Sequence, residues 1–292
     1  MENKRLQLLF CDIENQNLHC HSIFSYQVDE EANLSLVDII EMCRVQSSKV
    51  ESKEGDSPLV LISVTDHNML VAYEGNDNKN VNIKYEDGTI VNYRLTKKER
   101  RRLLDEERIR VIAGAELSAS LNGIKVHTLA LDFNPEILGL FKYTKERYRY
   151  SKKKVDVKKI ANAVHLSRGY FVLAHPSRYV RDGKISLNDI LNAANKVKCF
   201  DAIECVTSNM TLNECFEVLR FCVEKNIPVT LGTDYHYKGK RSVNGMPRQR
   251  EDIFFIESLG MKTGAFLKMI KNKTIAELNE IEKELENKLR DR

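Results

Sequence analysis

The chain has 292 residues, with 42% hydrophobic and 30% charged residues, 13 Gly and 5 Pro, which excludes a disordered, collagenous or low-complexity chain. Lys and Arg number 46 against 42 Asp and Glu, a net charge of +4 that is too small to argue for a nucleic-acid partner by itself. The length suits two ordinary domains or one α/β barrel of about 250 residues.

Seven short apolar, often β-branched runs recur along the chain: Asn17–His21, Leu59–Asp66, Arg110–Leu117, Lys125–Phe133, Tyr170–His175, Asp201–Val206 and Pro228–Asp234. Such runs read as buried parallel strands. Helical signals lie between most of them. Leu34–Gln46 repeats apolar residues at helical spacing, Thr96–Arg108 opens on a Thr96/Glu99 capping box, and Ser186–Val197 and Thr211–Asn226 follow the same pattern. Strands alternating with helices predict an α/β sheet, open or closed into a barrel. Asn76–Leu95 departs from the rhythm: alternating residues flank Asp87-Gly88, which predicts an inserted β-hairpin. Asn134–His165 reads as helical and dense in base, with Tyr interleaved among cations from Lys142 to Lys154. That arrangement suits a nucleic-acid groove or a solvated helix face. Ile275–Leu289 reads as an amphipathic helix that docks on the body, mediates oligomers or binds a partner helix.

The seven cysteines are odd in number, form no CxxC pair and sit mostly in apolar runs, as free thiols of a reducing cytoplasm would. No apolar run reaches the ~18–20 residues of a membrane span, and the polar start MENKRLQLLF is unlike a secretory signal.

Histidines carry the functional signal. His19 and His21 end the first run, His67 follows the second, His127 lies in the fourth, His175 ends the fifth and His236 follows the seventh; Glu116 and Asp234 stand at strand ends as well. Only His165 falls on a predicted helix, where it reads as structural. In a parallel barrel the C-terminal strand ends share one face, so these residues would converge. Each of the pairs His19/His21 and Asp234/His236 has the two-residue spacing that puts both side chains on one side of a strand. Imidazoles and carboxylates together suit Zn, Mn or Fe.

The segments N-L-H-C-H-S (17–22), V-T-D-H-N (64–68), G-A-E-L-S (114–118), V-H-T-L (126–129), L-A-H-P-S (173–177) and G-T-D-Y-H (232–236) resemble, in order, the motifs of the PHP (polymerase and histidinol phosphatase) superfamily of metal-dependent phosphoesterases. The resemblance covers roughly residues 15–240. It implies a distorted seven-stranded (β/α) barrel over 1–260, carrying the inserted hairpin at 76–95, with 261–292 as a C-terminal helical extension. It also implies two or three divalent ions: one held by His19, His21, Glu116 and Asp234, a second by Glu116, His127 and His175, and a third by His67 and His236. Asp66 would orient a ligand from behind. The family often places a third-site Asp or His soon after the first motif. Here Tyr26 and Gln27 stand there, and Asp29 is the nearest substitute.

The implied chemistry is hydrolysis of phosphate esters by a metal-activated hydroxide bridged by Glu116. Arg178, Arg181, Lys238 and Arg241 are the candidate phosphate binders. The expected substrate is a nucleotide or nucleic-acid end. A small phosphomonoester of the histidinol phosphate type is the alternative, and a non-catalytic barrel that binds nucleic acid or a protein is an alternative of another class.

Overall fold

The computed structural model describes residues 4–10, 13, 15–22, 25, 36–47, 60–67, 82–84, 90–92, 95–134, 155–180, 185–207, 210–234, 256, 259, 261 and 263–291. In chain order these form β1 (Asn15–Cys20), α1 (Leu36–Ser47), β2 (Val60–Val64), β3 (Asn82–Lys84), β4 (Ile90–Asn92), α2 (Lys97–Glu107), β5 (Ile109–Ile112), β6 (Gly114–Leu121) and β7 (Ile124–Leu131). Then come β8 (Val155–Asp156), α3 (Val157–Leu166), β9 (Tyr170–Leu173), a 3-10 turn (Pro176–Tyr179), α4 (Leu187–Val197), β10 (Ala202–Val206), α5 (Leu212–Lys225), β11 (Val229–Leu231), α6 (Thr263–Ile270) and α7 (Ile275–Arg290).

Local chemistry sets the helix ends. Reciprocal capping boxes open α2 (Thr96/Glu99), α4 (Ser186/Asp189), α5 (Thr211/Glu214) and α7 (Thr274/Glu277). Each satisfies two backbone N–H groups that the helix leaves unpaired. Left-handed residues Arg108, Lys198 and Asn226 close α2, α4 and α5. Of the expected helix over Asn134–His165, only α3 lies among the described residues; the basic stretch Lys142–Lys154 lies outside them.

The strands form an α/β fold of two main sheets. One is parallel, in the order β1-β2-β5; the other is mixed, in the order β11-β10-β9-β7-β6-β8. The expectation of uniformly parallel strands is corrected at β7, which runs antiparallel to both β6 and β9. The cause is the turn at Asn122 and Gly123, both at positive φ (51° and 89°), the backbone of a two-residue hairpin. The single strand read over Arg110–Leu117 is likewise two: β5 pairs with β2, while β6 joins the other sheet. The chain changes sheets at Gly114, where a Cβ would lie 2.0 Å from Ser63 Oγ and 2.8 Å from the Val64 carbonyl oxygen. The expected inserted hairpin is present as β3–β4, antiparallel with Ile83 opposite Val91.

Among the described residues no single closed barrel forms, but backbone contacts bridge the sheets at two seams. Thr233 and Asp234 donate N–H bonds to the His19 carbonyl at 3.0 and 2.7 Å, linking β11 to β1. Glu116 N–H donates to Asp66 at 3.2 Å, linking β6 to the end of β2. These seams bring the ends of β1, β2, β9 and β11 against β6.

The core lies between the sheets and the helices. Phe216 of α5 meets Phe266 of α6 edge-on at 6.4 Å between ring centroids. Leu278 and Leu285 of α7 are fully buried, and Arg220 of α5 pairs with Glu282 of α7. The C-terminal amphipathic helix therefore spends its apolar face on its own chain, the first of its three expected uses. Cys20, Cys43, Cys199, Cys205, Cys215 and Cys222 are free thiols. No helix among the described residues is long and apolar enough to cross a membrane.

Candidate metal centre

Seven predicted ligands meet at the seams. His19 lies in β1 with His21 just past its end, His67 follows β2, Glu116 is in β6, His127 in β7, His175 follows β9 and Asp234 follows β11. Pairing places them: Glu116 stands opposite Leu129, so His127, two residues along β7, is its diagonal neighbour on the same face. His175 and Asp234 reach inward from backbone at φ 27° and 53°. Such conformations cost a residue with a Cβ about 1–3 kcal/mol and persist where surrounding contacts enforce them.

The ligand atoms crowd together. His19 Nε2 and His21 Nε2 are 3.1 Å apart, and each is 3.2 Å from Asp234 Oδ1. Glu116 Oε1 lies 2.7 Å from His127 Nδ1, 2.9 Å from His175 Nε2 and 3.7 Å from His19 Nε2. Glu116 Oε2 touches His67 Nδ1 and lies 3.5 Å from His21 Nε2. Three groups could each surround one cation: His19, His21 and Glu116; His19, His175 and Asp234; His67, Glu116 and His127. Glu116 and His19 each belong to two of them.

The outer edges of the rings are held by other side chains. His19 Nδ1 faces both oxygens of Glu204 at 3.1 Å. His21 Nδ1 is 3.0 Å from Ser25 Oγ, which donates to Asp66 Oδ1 at 2.9 Å and accepts the His67 N–H at 3.2 Å. Asp66 also takes the N–H and hydroxyl of Ser22, both at 2.7 Å. His175 Nδ1 is 3.2 Å from the Tyr179 hydroxyl, which accepts the His127 N–H at 2.5 Å. A hydroxyl has one proton. Because Ser25 gives its own to Asp66, it can only accept from His21, which leaves the His21 Nε2 lone pair facing the centre.

This arrangement demands positive charge. Burial alone would lower His19, but the carboxylates of Glu204, Asp234 and Glu116 outweigh it and lift its pKa to about 10. Burial would raise Glu116, but the surrounding imidazoles, His127 and His67 foremost, hold it well below the usual carboxylate range. Glu116 Oε2 and His127 Nδ1 are buried without a hydrogen bond of acceptable geometry. Buried polar atoms are rarely left so, and a divalent cation would satisfy both. The nitrogen and carboxylate donor set fits Zn, Mn or Fe.

The remaining predicted residues are placed as follows. Asp66 sits behind His21 and reaches it through Ser25. Arg178 is on the 3-10 turn, half-exposed, with Nη1 3.7 Å from Asp234 Oδ2. Asp29, Arg181, His236, Lys238 and Arg241, with Tyr26 and Gln27, lie outside the described residues. His165 is on α3, bonded to Asp201 at 2.8 Å and away from the cluster. Sequence reading missed Glu204, Ser25 and Tyr179. Glu204 carried a signal, being a lone acid inside the apolar run of β10; the two hydroxyls carried none.

Two solved structures share this fold, and a third matches more weakly. An amidohydrolase from Chromobacterium violaceum, with sulfate bound and no metal, matches with a TM-score of 0.51 and 15% identity, covering 82% of this chain and 90% of that one. A structure described as a metal-dependent phosphoesterase from Bifidobacterium adolescentis matches with a TM-score of 0.51 and 16% identity, over 82% of this chain and 92% of that one. A two-domain Bacteroides vulgatus protein described as containing a PHP-like metal-dependent phosphoesterase matches at 0.41 and 16% identity, over 81% and 57%. No protein-family model and no curated protein matches the chain. The first two matches show that the α/β fold described above is one found in other solved structures.

Proposed function

We propose that the chain is a metal-dependent phosphoesterase of the PHP type that hydrolyses phosphate esters of nucleotides or nucleic-acid ends. In this reading the two sheets are the halves of the distorted seven-stranded barrel, and the chain works in a reducing cytoplasm. The observation that carries the proposal is the convergence of five buried or nearly buried imidazoles and two carboxylates, drawn from six strands and the residues that follow them, on a centre with unsatisfied ligand atoms. The shared fold supports it. A purely structural core has no reason to bury so many costly polar groups together.

His19, His21, Glu116 and Asp234 would hold one ion, Glu116, His127 and His175 a second, and His67 and His236 a third. Divalent ions there would polarise phosphoryl oxygens and lower the pKa of an attacking water. The protein's own groups do the rest. Ser25 keeps the His21 proton on Nδ1, so Nε2 faces inward. Tyr179, whose phenol burial keeps well above its ordinary pKa, stays neutral and holds His175 and the β7 backbone in place. Arg178 stands half-exposed at the rim, where its planar fork can take a phosphate oxygen. Arg181, Lys238 and Arg241 would extend that basic rim, and the preference for nucleotides rests on them and on the basic Lys142–Lys154 stretch.

The test is hydrolysis of 5′-labelled oligonucleotides, mononucleotides and a panel of small phosphomonoesters with Mn²⁺, comparing wild type with His19→Ala. Metal-dependent product from nucleotide substrates, lost in the variant, is the expected result. Release of phosphate from small metabolites alone would move the substrate class to the histidinol phosphate type. Absence of any metal-dependent product would overturn the enzyme reading.

A further inference from the structure

We propose that Glu204 is a positioning residue of the metal centre: it decides which nitrogen His19 presents and ties the His175 strand end to the same point. The inference rests on the metal reading above and deepens it.

Glu204 sits in mid-β10, between Ile203 and Cys205, both wholly buried, and is itself 0% exposed. A carboxylate in such a place is costly unless its oxygens are well paired. The pairing here is specific. Both oxygens lie 3.1 Å from His19 Nδ1, and Oε2 also accepts the His175 N–H at 2.8 Å. One side chain thus spans ligand-bearing segments from β1 and from the end of β9, which are not neighbours in either sheet. A carboxylate only accepts, so the proton between Glu204 and His19 is on Nδ1, and Nε2 is left for the centre. The ring is oriented from behind, as ligating histidines are.

The fold also reserves the space. Gly232 follows β11, and a Cβ there would lie 2.7 Å from Glu204 Oε1, 2.2 Å from His19 Cβ and 2.7 Å from the His19 backbone nitrogen. Backbone cannot swing aside, so any side chain at 232 would part Glu204 from His19. The two observations are independent: one is a hydrogen-bond pattern, the other the close approach of the backbone that follows β11.

Glu204→Gln separates positioning from packing, because the amide has nearly the carboxylate's shape. It carries one acceptor oxygen and one donor NH₂. With the oxygen in the Oε2 place, both donors keep an acceptor but the NH₂ faces His19 Nδ1–H; in the flipped orientation the NH₂ opposes the His175 N–H as well. Co²⁺ titrations, read by visible absorption, would be run on wild type, Glu204→Gln and Gly232→Ala, beside thermal unfolding of the metal-free proteins. Expected is Co²⁺ affinity weakened about 10–100-fold in both variants, by more than any change in unfolding temperature explains. A merely structural Glu204 would lower the melting temperature and leave the affinity of the folded fraction within twofold of wild type. That result would overturn the proposal and leave the metal reading standing. A wild type that binds no Co²⁺ would overturn both. If the variants do not fold, zinc-loaded wild type decides, through long-range ¹H–¹⁵N correlation of its imidazoles. His19 protonated on Nδ1, with that proton slow to exchange, upholds the proposal; a proton on Nε2 refutes it.

Discussion

Ser25→Ala removes one oxygen from the hub behind His21, and its consequences can be worked out from the contacts. Ser25 Oγ donates to Asp66, accepts the His67 N–H and faces His21 Nδ1, and all four residues are buried. Without the hydroxyl, the His67 N–H, His21 Nδ1 and Asp66 each lose one hydrogen bond. A typical hydrogen bond contributes about 0.5–1.5 kcal/mol, so losing the three predicts a loss of about 1.5–4.5 kcal/mol. That is smaller than the ~5–15 kcal/mol by which domains are stable, so the variant should still fold. The second effect is on ligand geometry: freed from Ser25, His21 can carry its proton on either nitrogen, and metal affinity should fall about 10–100-fold. Urea unfolding in chelator measures the first quantity, and Co²⁺ titration of the folded variant measures the second. Ser25→Thr keeps a hydroxyl and serves as the control. Stability within about 0.5 kcal/mol of wild type, together with unchanged Co²⁺ affinity, would show that the Ser25 hydroxyl orients nothing.

Three further outcomes follow from the same structure. The metal-free protein holds a proton on His19 up to a pKa of about 10, raised from 6.5, so its stabilising contribution is full below 6.5 and is lost as pH rises through 10. A cation must displace that proton; metal affinity should therefore climb with pH across this window, and calorimetry in buffers of different ionisation heat should detect proton release, whereas buffer-independent heats would refute it. Glu277, held down to about 2 first by the Thr274 N–H and then by Lys273 and the Thr274 hydroxyl, supports the start of α7 above pH 4.5 and loses that role as pH falls through 2; Glu277→Gln should flatten the acid limb of a pH–melting curve, and an unchanged limb would count against the cap. Gly123→Ala meets no atom within 4 Å and is disfavoured only by its φ of 89°, predicting a loss of about 1 kcal/mol by urea unfolding; Gly114→Ala, with Ser63 and Val64 in the way, should lose markedly more, and equal losses would refute the close approach of β6 to β2.

What could be read from the sequence divides along physical lines. Capping boxes at Thr96, Ser186 and Thr211 predicted helices that begin there, because a cap is a contact among residues three apart. Sheet membership was harder. A strand keeps the same backbone dihedrals whichever sheet it joins, so nothing in Arg110–Leu117 announces that β5 and β6 part company at Gly114. Asn122-Gly123 carries a hairpin signal that the parallel reading passes over: Leu117, Ala119 and Leu121 alternate with Ser118 and Ser120 before it, and Lys125 and His127 flank buried Val126 after it. The site shows the same division. Binding an ion restricts its first neighbours to imidazole and carboxylate, and strand geometry restricts their spacing, so His19, His21, His67, Glu116, His127, His175 and Asp234 stood out. The residues behind them face no such restriction: a hydroxyl, a carboxylate or a carbonyl can each hold Nδ1–H, and which one does is decided by tertiary neighbours. Ser25 is an ordinary loop serine until it is seen between Asp66 and His21. Glu204 was the exception, since an acid in a strand as apolar as β10 must find donors somewhere, and two of the donors within reach belong to His19 and His175. An unexplained buried charge beside a recognised ligand set therefore points to the support of that site before it points to anything else.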